Sequence, residues 1–194
     1  SVAVVVGDLI YCVLIQQTAL TVTVVGDNLG NTYTPLNAGN DAGAVTARAF
    51  YSRVTTAGTC TGPSATTTAS ANNVVFIGVA FEGPFGIPPL DANPANGTAD
   101  VTSAFVCPAT GTLAQAEEVV VAWGAANYST AWAATSPNIE RIEAASAALL
   151  KGNIGSQVVS VTTTISPEFT AASNPPECIL GTSSFRSASS GSGT

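Results

Sequence analysis

Histidine is absent from the chain. That removes the Ser-His-Asp and Cys-His machineries, the usual neutral-pH general base and most transition-metal sites. Methionine is absent too, and the chain opens on Ser1. The expectation this raises is an export signal removed ahead of that serine. Charge is scarce: charged residues make up 9% of the chain, against roughly 25% in ordinary soluble domains. The five basic residues, Arg48, Arg53, Arg141, Lys151 and Arg186, are spread thinly, and the net charge is −7. No basic patch can be assembled from them, which excludes nucleic acid and argues against an anionic membrane surface. Long apolar runs are missing as well. The longest, 2–6 and 9–15, are broken by Gly7 and Asp8, far short of the roughly 20 residues of a spanning helix.

What remains is a hydrophobic fraction of 46% carried by Ala and Val, set among Thr, Ser, Asn and Gly. Short β-branched runs separated by turn residues dominate. The strands expected lie at 2–6, 9–17, 20–25, 44–54, 74–82, 99–106, 117–123, 157–165 and 178–185. Thr21-Val22-Thr23-Val24 and Val159-Ser160-Val161-Thr162 alternate as one-faced strands do. The stretch 9–15 is apolar on both faces and reads as a central strand. Residues 84–89 read as a stiff Pro-rich loop. Over 138–151 the spacing of Ile139, Ile142, Ala145 and Leu149 predicts a short helix, with a pair of strands as the alternative. The fold expected is all-β: a single sandwich, jelly-roll or immunoglobulin-like, of about nine or ten strands over 1–186. A Ser/Gly-rich tail, 187–194, follows.

The candidate chemistry is sparse. Four cysteines, Cys12, Cys60, Cys107 and Cys178, have no C-x-x-C spacing and fit two disulfides of an exported protein, with three pairings open. Cys60 and Cys107 share Gly/Pro/Thr-rich surroundings while Cys12 and Cys178 share apolar runs, which favours Cys60–Cys107 and Cys12–Cys178. Asp27, Asn28 and Asn31 in one turn, joined by Asp8, offer the hard oxygen ligands that calcium takes, although such residues also populate turns for their own backbone bonds. Glu117 and Glu118 are adjacent and face opposite ways on a strand, so they cannot work as a catalytic couple. Glu140 and Glu143 would share a helical face. Glu82 with Asp91 is the best remaining acid pair for glycoside chemistry. Trp123, Tyr128 and Trp132 form a candidate sugar platform if their rings are exposed together. Asn96-Gly97-Thr98 and Asn127-Tyr128-Ser129 are glycosylation sequons, and 55–68 is rich in threonines suited to O-linked sugar.

Several segments recur in a telling order. Gly7-Asp8-Leu9-Ile10 leads to the turn Asp27-Asn28-Leu29-Gly30-Asn31-Thr32-Tyr33, then to Ala49-Phe50-Tyr51-Ser52, to Glu82-Gly83 before Pro89-Leu90-Asp91, and finally to Ser184-Phe185. Together they resemble a family of exported β-sandwich domains found in bacterial surface proteins and phage-associated proteins. That resemblance implies a jelly-roll or immunoglobulin-like sandwich with no recognised active site. Two features depart from it: only 1–6 precedes the Gly-Asp element, where the family carries a further strand, and the cysteines are not typical. A sandwich short of a strand exposes a sheet edge, and such an edge invites pairing with another chain. The function expected is therefore a non-catalytic, self-assembling structural subunit outside the cell, such as a filament, surface layer or virion decoration. The alternative is a carbohydrate-binding or adhesion module.

Overall fold

Alternating side chains sort onto the two faces of a strand, and on the central strands of this chain both faces end up covered. The computed structural model describes residues 1–17, 22–41, 45–67, 73–94, 96–99, 104–127, 131–146, 150–172 and 178–188. The first half forms β1 (Val2–Val4), β2 (Leu9–Gln16), β3 (Val22–Gly26), β4 (Thr34–Asp41), β5 (Val45–Arg53), β6 (Gly58–Cys60), β7 (Ser64–Thr67), β8 (Val74–Phe81) and β9 (Phe85–Ala92). The second half forms β10 (Gly97–Ala99), β11 (Ala104–Val106), β12 (Glu118–Ala126), β13 (Trp132–Ala134), β14 (Ile139–Ala145), β15 (Lys151–Val159), β16 (Glu168–Ala171) and β17 (Cys178–Ser187). The molecule is all-β.

Two sheets make the sandwich. One runs β4-β5-β2-β8, and the other β10-β17-β12-β15-β14, with β9 also pairing β17. Between them lies the main core. Leu9, Tyr11, Val13 and Ile15 of β2 meet Val121, Trp123, Ala125, Ile154, Ile179 and Phe185 from the opposing sheet. The intervening residues of β2, namely Ile10, Cys12 and Leu14, point the other way into a second cluster. There β1 with β6 and β3 with β7 lie over the outside of the first sheet. On the far side, a three-stranded sheet β11-β16-β13 covers Ala122, Ala126 and Leu180 of the second sheet with Phe105, Trp132 and Phe169. Four layers result, which explains why β2 is buried at all eight positions.

The two tryptophans are the largest pieces of this packing. Trp123 fills the main core and Trp132 the outer cluster, where it stacks on Phe105 at 5.1 Å. Burying one such ring is worth about 4–6 kcal/mol of transfer free energy before entropy is counted. Glycine makes room for each: a Cβ on Gly181 would collide with the Trp123 indole, and one on Gly124 with the Trp132 ring. A half-buried ion pair closes the edge nearby. Lys151 Nζ lies 2.7 Å from Glu143 Oε1, and Glu143 Oε2 accepts the Trp132 backbone N–H at 2.8 Å, tying β13 to β14.

Three expectations need correction. Among the described residues no helix forms near 139–150, and the strand alternative holds: Ile139–Ala145 is β14, paired with β15 and kinked by a bulge between Glu140 and Ile142. Long-range pairing overrides the Ala/Glu helix preference, and the bulge lets residues three apart share a face. The Pro-rich loop is largely strand, since β9 begins at Phe85 and pairs with β17 despite two irregularities. Strands are also shorter and more numerous than nine or ten, because the covering layers are built from pieces of three to five residues. Of the tail, Ser187 belongs to β17 and the Ala188 N–H donates to Pro84 O, while 189–194 lie outside the described residues.

We predict that Gly124→Ala destabilises the protein by about 1–3 kcal/mol in chemical denaturation, because the added methyl overpacks the Trp132 site. Gly26→Ala, at a position with open space around it, should stay within about 0.5 kcal/mol of the parent.

Candidate functional site

The polar motifs prove to be joints of the fold. In the turn after β3, Asp27 Oδ1 accepts the Leu29 N–H at 2.9 Å and the Asn31 N–H at 3.1 Å. Its Oδ2 accepts Asn31 Nδ2 and the Tyr33 hydroxyl, each at 3.0 Å. Burial pushes the Asp27 carboxyl upward, but these donors outweigh it and hold the group below the ordinary carboxylate range. Asn31, nearly inaccessible, passes the contact on: its Oδ1 accepts Thr55 N–H and Oγ1 and the Thr56 N–H. Asn28 Oδ1 likewise takes the Thr61 N–H at 2.8 Å, and its Nδ2 donates to Thr59 O. Every side-chain oxygen proposed for calcium is thus spent on protein donors, those of Asp27 within the turn and those of Asn28 and Asn31 fastening it to 55–61. Asp8 is engaged elsewhere, accepting the Val5 and Gly83 N–H groups, both at 2.8 Å. Among the described residues no group of three or more Cys, Asp or Glu is disposed to hold a metal ion.

The carboxylates do not form the pairing expected. Glu82 is exposed at the turn between β8 and β9, and Asp91 lies six residues into β9, roughly 20 Å along the strand. Glycosidase acids stand within about 9.5 Å of each other. Asp91 instead lies 3.1 Å from Arg186 Nε, and its other oxygen accepts the Ala114 N–H. Its acidic neighbour is Glu118, which is wholly buried, takes the Gln115 N–H on Oε1 at 3.3 Å and leaves Oε2 without a partner. Burial first, and then the Asp91 charge, push the Glu118 carboxyl above its ordinary value. Glu117 lies just outside β12 and is exposed at φ 65°, so this turn, and not strand alternation, separates it from the buried Glu118. Glu140 is exposed and Glu143 is bound to Lys151.

The sugar platform does not assemble. Trp123 and Trp132 are 1% and 5% exposed and sit on opposite faces of one sheet, while Tyr128 lies outside the described residues. Proximity along the chain carried no information about facing. Asn96 Nδ2, the atom a glycan would take, donates to Asn37 O at 2.9 Å. Asn127 is half-buried with its Oδ1 inaccessible, and Ser129 of its sequon lies outside the described residues. The cysteines fall into other couples than those favoured from sequence. Cys12 and Cys60 share the cluster over the first sheet, whereas Cys107 and Cys178 share the cluster over the second. A thickness of two sheets, each pair of layers about 10 Å apart, separates Cys12 from Cys178 and Cys60 from Cys107.

The feature left without a partner strand is an edge, which runs close to β14 and β15 of the opposing sheet. β8 pairs with β2 along eight consecutive residues without a bulge, and among the described residues no strand pairs with its other side. It carries no charge and no proline. The other long edges are guarded: β14 by Glu140, Arg141, Glu143 and a bulge, β4 by Pro35 and a bulge, β9 by Pro88, Pro89 and irregular register. Charges, prolines and bulges are how sheets block unwanted pairing, and β8 has none of them. A cleft of about 320 Å³ follows it, lined by Phe76 through Ala80 with Ile10, Cys60 and Pro63. Its other walls, Ile10, Cys60 and Pro63, belong to the outer cluster and the layer over it, so the cleft lies over the outer face of β8. Val2 also lines the cleft and is 46% exposed, and Val5 and Val6 beyond it are 62% and 59% exposed. This edge escaped sequence reasoning in detail, because edge position depends on sheet order and not on local pattern.

No protein-family model, curated protein or solved structure matches the chain. Among the described residues no helix is long and apolar enough to cross a membrane.

The raised Glu118 carboxyl sets a direction for pH dependence. A group favouring its protonated form in the fold contributes stability that is complete below its ordinary value, 4.5, and is lost as pH rises through the raised value. We predict that Glu118→Gln is more stable than the parent at pH 7, with the gap closing as pH falls toward 4 in parallel denaturation curves.

Proposed function

We propose that the chain is a non-catalytic structural subunit of an extracellular assembly, a filament, surface layer or virion decoration, whose copies join by adding a strand to the open side of β8. The observation that carries this reading is the edge itself: eight residues, apolar, flat in register and unguarded. Unsatisfied backbone groups in such a row pair readily with a strand of another molecule. The low charge of the chain supports the same reading, since little repulsion holds copies apart. So does the use of its motif acids as joints, with Asp8, Asp27 and Asp91 all bound to protein donors or to Arg186. The order of those motifs resembles exported surface and phage-associated sandwiches, which accords with a location outside the cell.

The decisive comparison is the native material against Val74→Lys. Val74 is 39% exposed at the start of β8, so a lysine there guards the edge at a folding cost of about 0.5 kcal/mol or less. Negatively stained micrographs of the parent should show regular polymers or layers, and the variant should need at least tenfold more protein to assemble. Discrete single-chain particles from the parent at all concentrations, or a variant that assembles as readily as the parent, would overturn the reading.

A further inference from the structure

The four cysteines divide two and two between the outer faces of the sandwich. Cys12 projects from β2 away from the main core into a cluster of eight buried residues that also holds Cys60, the last residue of β6. Cys178 opens β17 and projects into a separate cluster of eight, together with Cys107, which follows β11. All four stand as free thiols in the structure and are buried, none more than 2% exposed. The same position in the fold is occupied twice: one cysteine sits on a central strand of a main sheet, the other on the short element that covers it.

From this we infer that the mature protein carries two disulfides, Cys12–Cys60 and Cys107–Cys178, each stapling a covering layer to the sheet beneath. The alternative couples would have to reach through both sheets, whereas bonded cysteines need Cβ atoms about 3.5–4.5 Å apart. In each bond two thiols lose two protons and two electrons as one S–S bond forms. The oxidant is a small or protein-borne disulfide, itself reduced to two thiols by exchange. Timing follows from burial, which raises the Cys12 and Cys107 thiols far above their ordinary values. Exchange needs the thiolate, so the bonds close while the covering layers are still docking. The covering strands explain the need. β1, β6 and β11 have three residues each, too few to hold their place by ladder hydrogen bonds alone. Cys60 also lines the cleft over the outer face of β8, so the first staple fixes the covering layer beside that strand.

Export enters only as the supply of oxidant, and a glutathione redox buffer replaces it in the test. The purified chain is oxidised in that buffer, blocked with an alkylating reagent and digested without reduction by trypsin and a glutamate-specific protease. Cleavage at Arg48, Arg53, Glu82, Glu117, Glu177 and Arg186 puts each cysteine in a peptide of its own, so all three pairings give different masses. We expect the Cys12 peptide joined to the Cys60 peptide and the Cys107 peptide joined to the Cys178 peptide, with no alkylated thiol. Reduction should then lower Tm by roughly 5–15 °C per bond. Any cross-link between the two couples, or four thiols alkylated after oxidation, would overturn the pairing and leave the assembly reading untouched. Polymers lost while the bonds are in place would do the reverse.

Discussion

Burial of β2 and β12 on both faces is the constraint from which the rest of the architecture follows. A strand in an ordinary sandwich shows one face to solvent and alternates accordingly. Here Leu9 to Gln16 has no solvent face, and Val120, Ala122 and Ala126 on the outer side of β12 are as inaccessible as Val121 and Trp123 on the inner. Two sheets cannot satisfy such strands. Further layers have to be laid outside, and the sequence provides them as fragments joined by polar turns. The Asp27–Asn31–Thr55 chain of hydrogen bonds and the Asp8 clasp hold the fragments over the first sheet. The Phe105–Trp132–Phe169 stack and the Lys151–Glu143 pair hold them over the second.

Much of the main sandwich was legible because its strands are long and their composition is β-branched. β2, β5 and β8 fall within stretches chosen on pattern alone, whereas β12 and β17 run past the ends expected for them and β15 lies mostly ahead of the stretch 157–165. What escaped was whatever depends on a partner distant in the chain. β14 spaces Ile139 and Ile142 like a helix, and only its ladder with β15 turns that spacing into a bulged strand. β9 carries two prolines that read as a loop, yet an edge position next to β17 tolerates both. β4 and β6 contain Pro, Asn and Gly in place of β-branched residues and became visible only through their pairing.

The chemistry was legible in one sense and opaque in another. That Asp27, Asn28, Asn31 and Tyr33 belong together was plain from their spacing, and they do meet. Their role as a joint was decided by Thr55, Thr59 and Thr61, which lie more than twenty residues away. Trp123 and Trp132 are nine residues apart but separated by a sheet, and Asp91 found Glu118 and Arg186 in place of Glu82. In each case residue type was a sound guide to the kind of bond formed, while facing and distance were set by sheet order. The same holds for β8, whose apolar run could be seen at once but whose free edge is a property of the completed sheet.

The central claim is that this free edge is where copies meet. Hydrogen exchange of the β8 amides, followed by mass spectrometry on concentrated and on dilute protein, addresses it at the bond level. Alternate N–H groups of β8 point toward β2 and are protected at any concentration; the others point outward. The account predicts that the outward half of the amides within 74–81 becomes protected when the protein is concentrated and exchanges freely when it is dilute. Assembly with no change in those amides would contradict it.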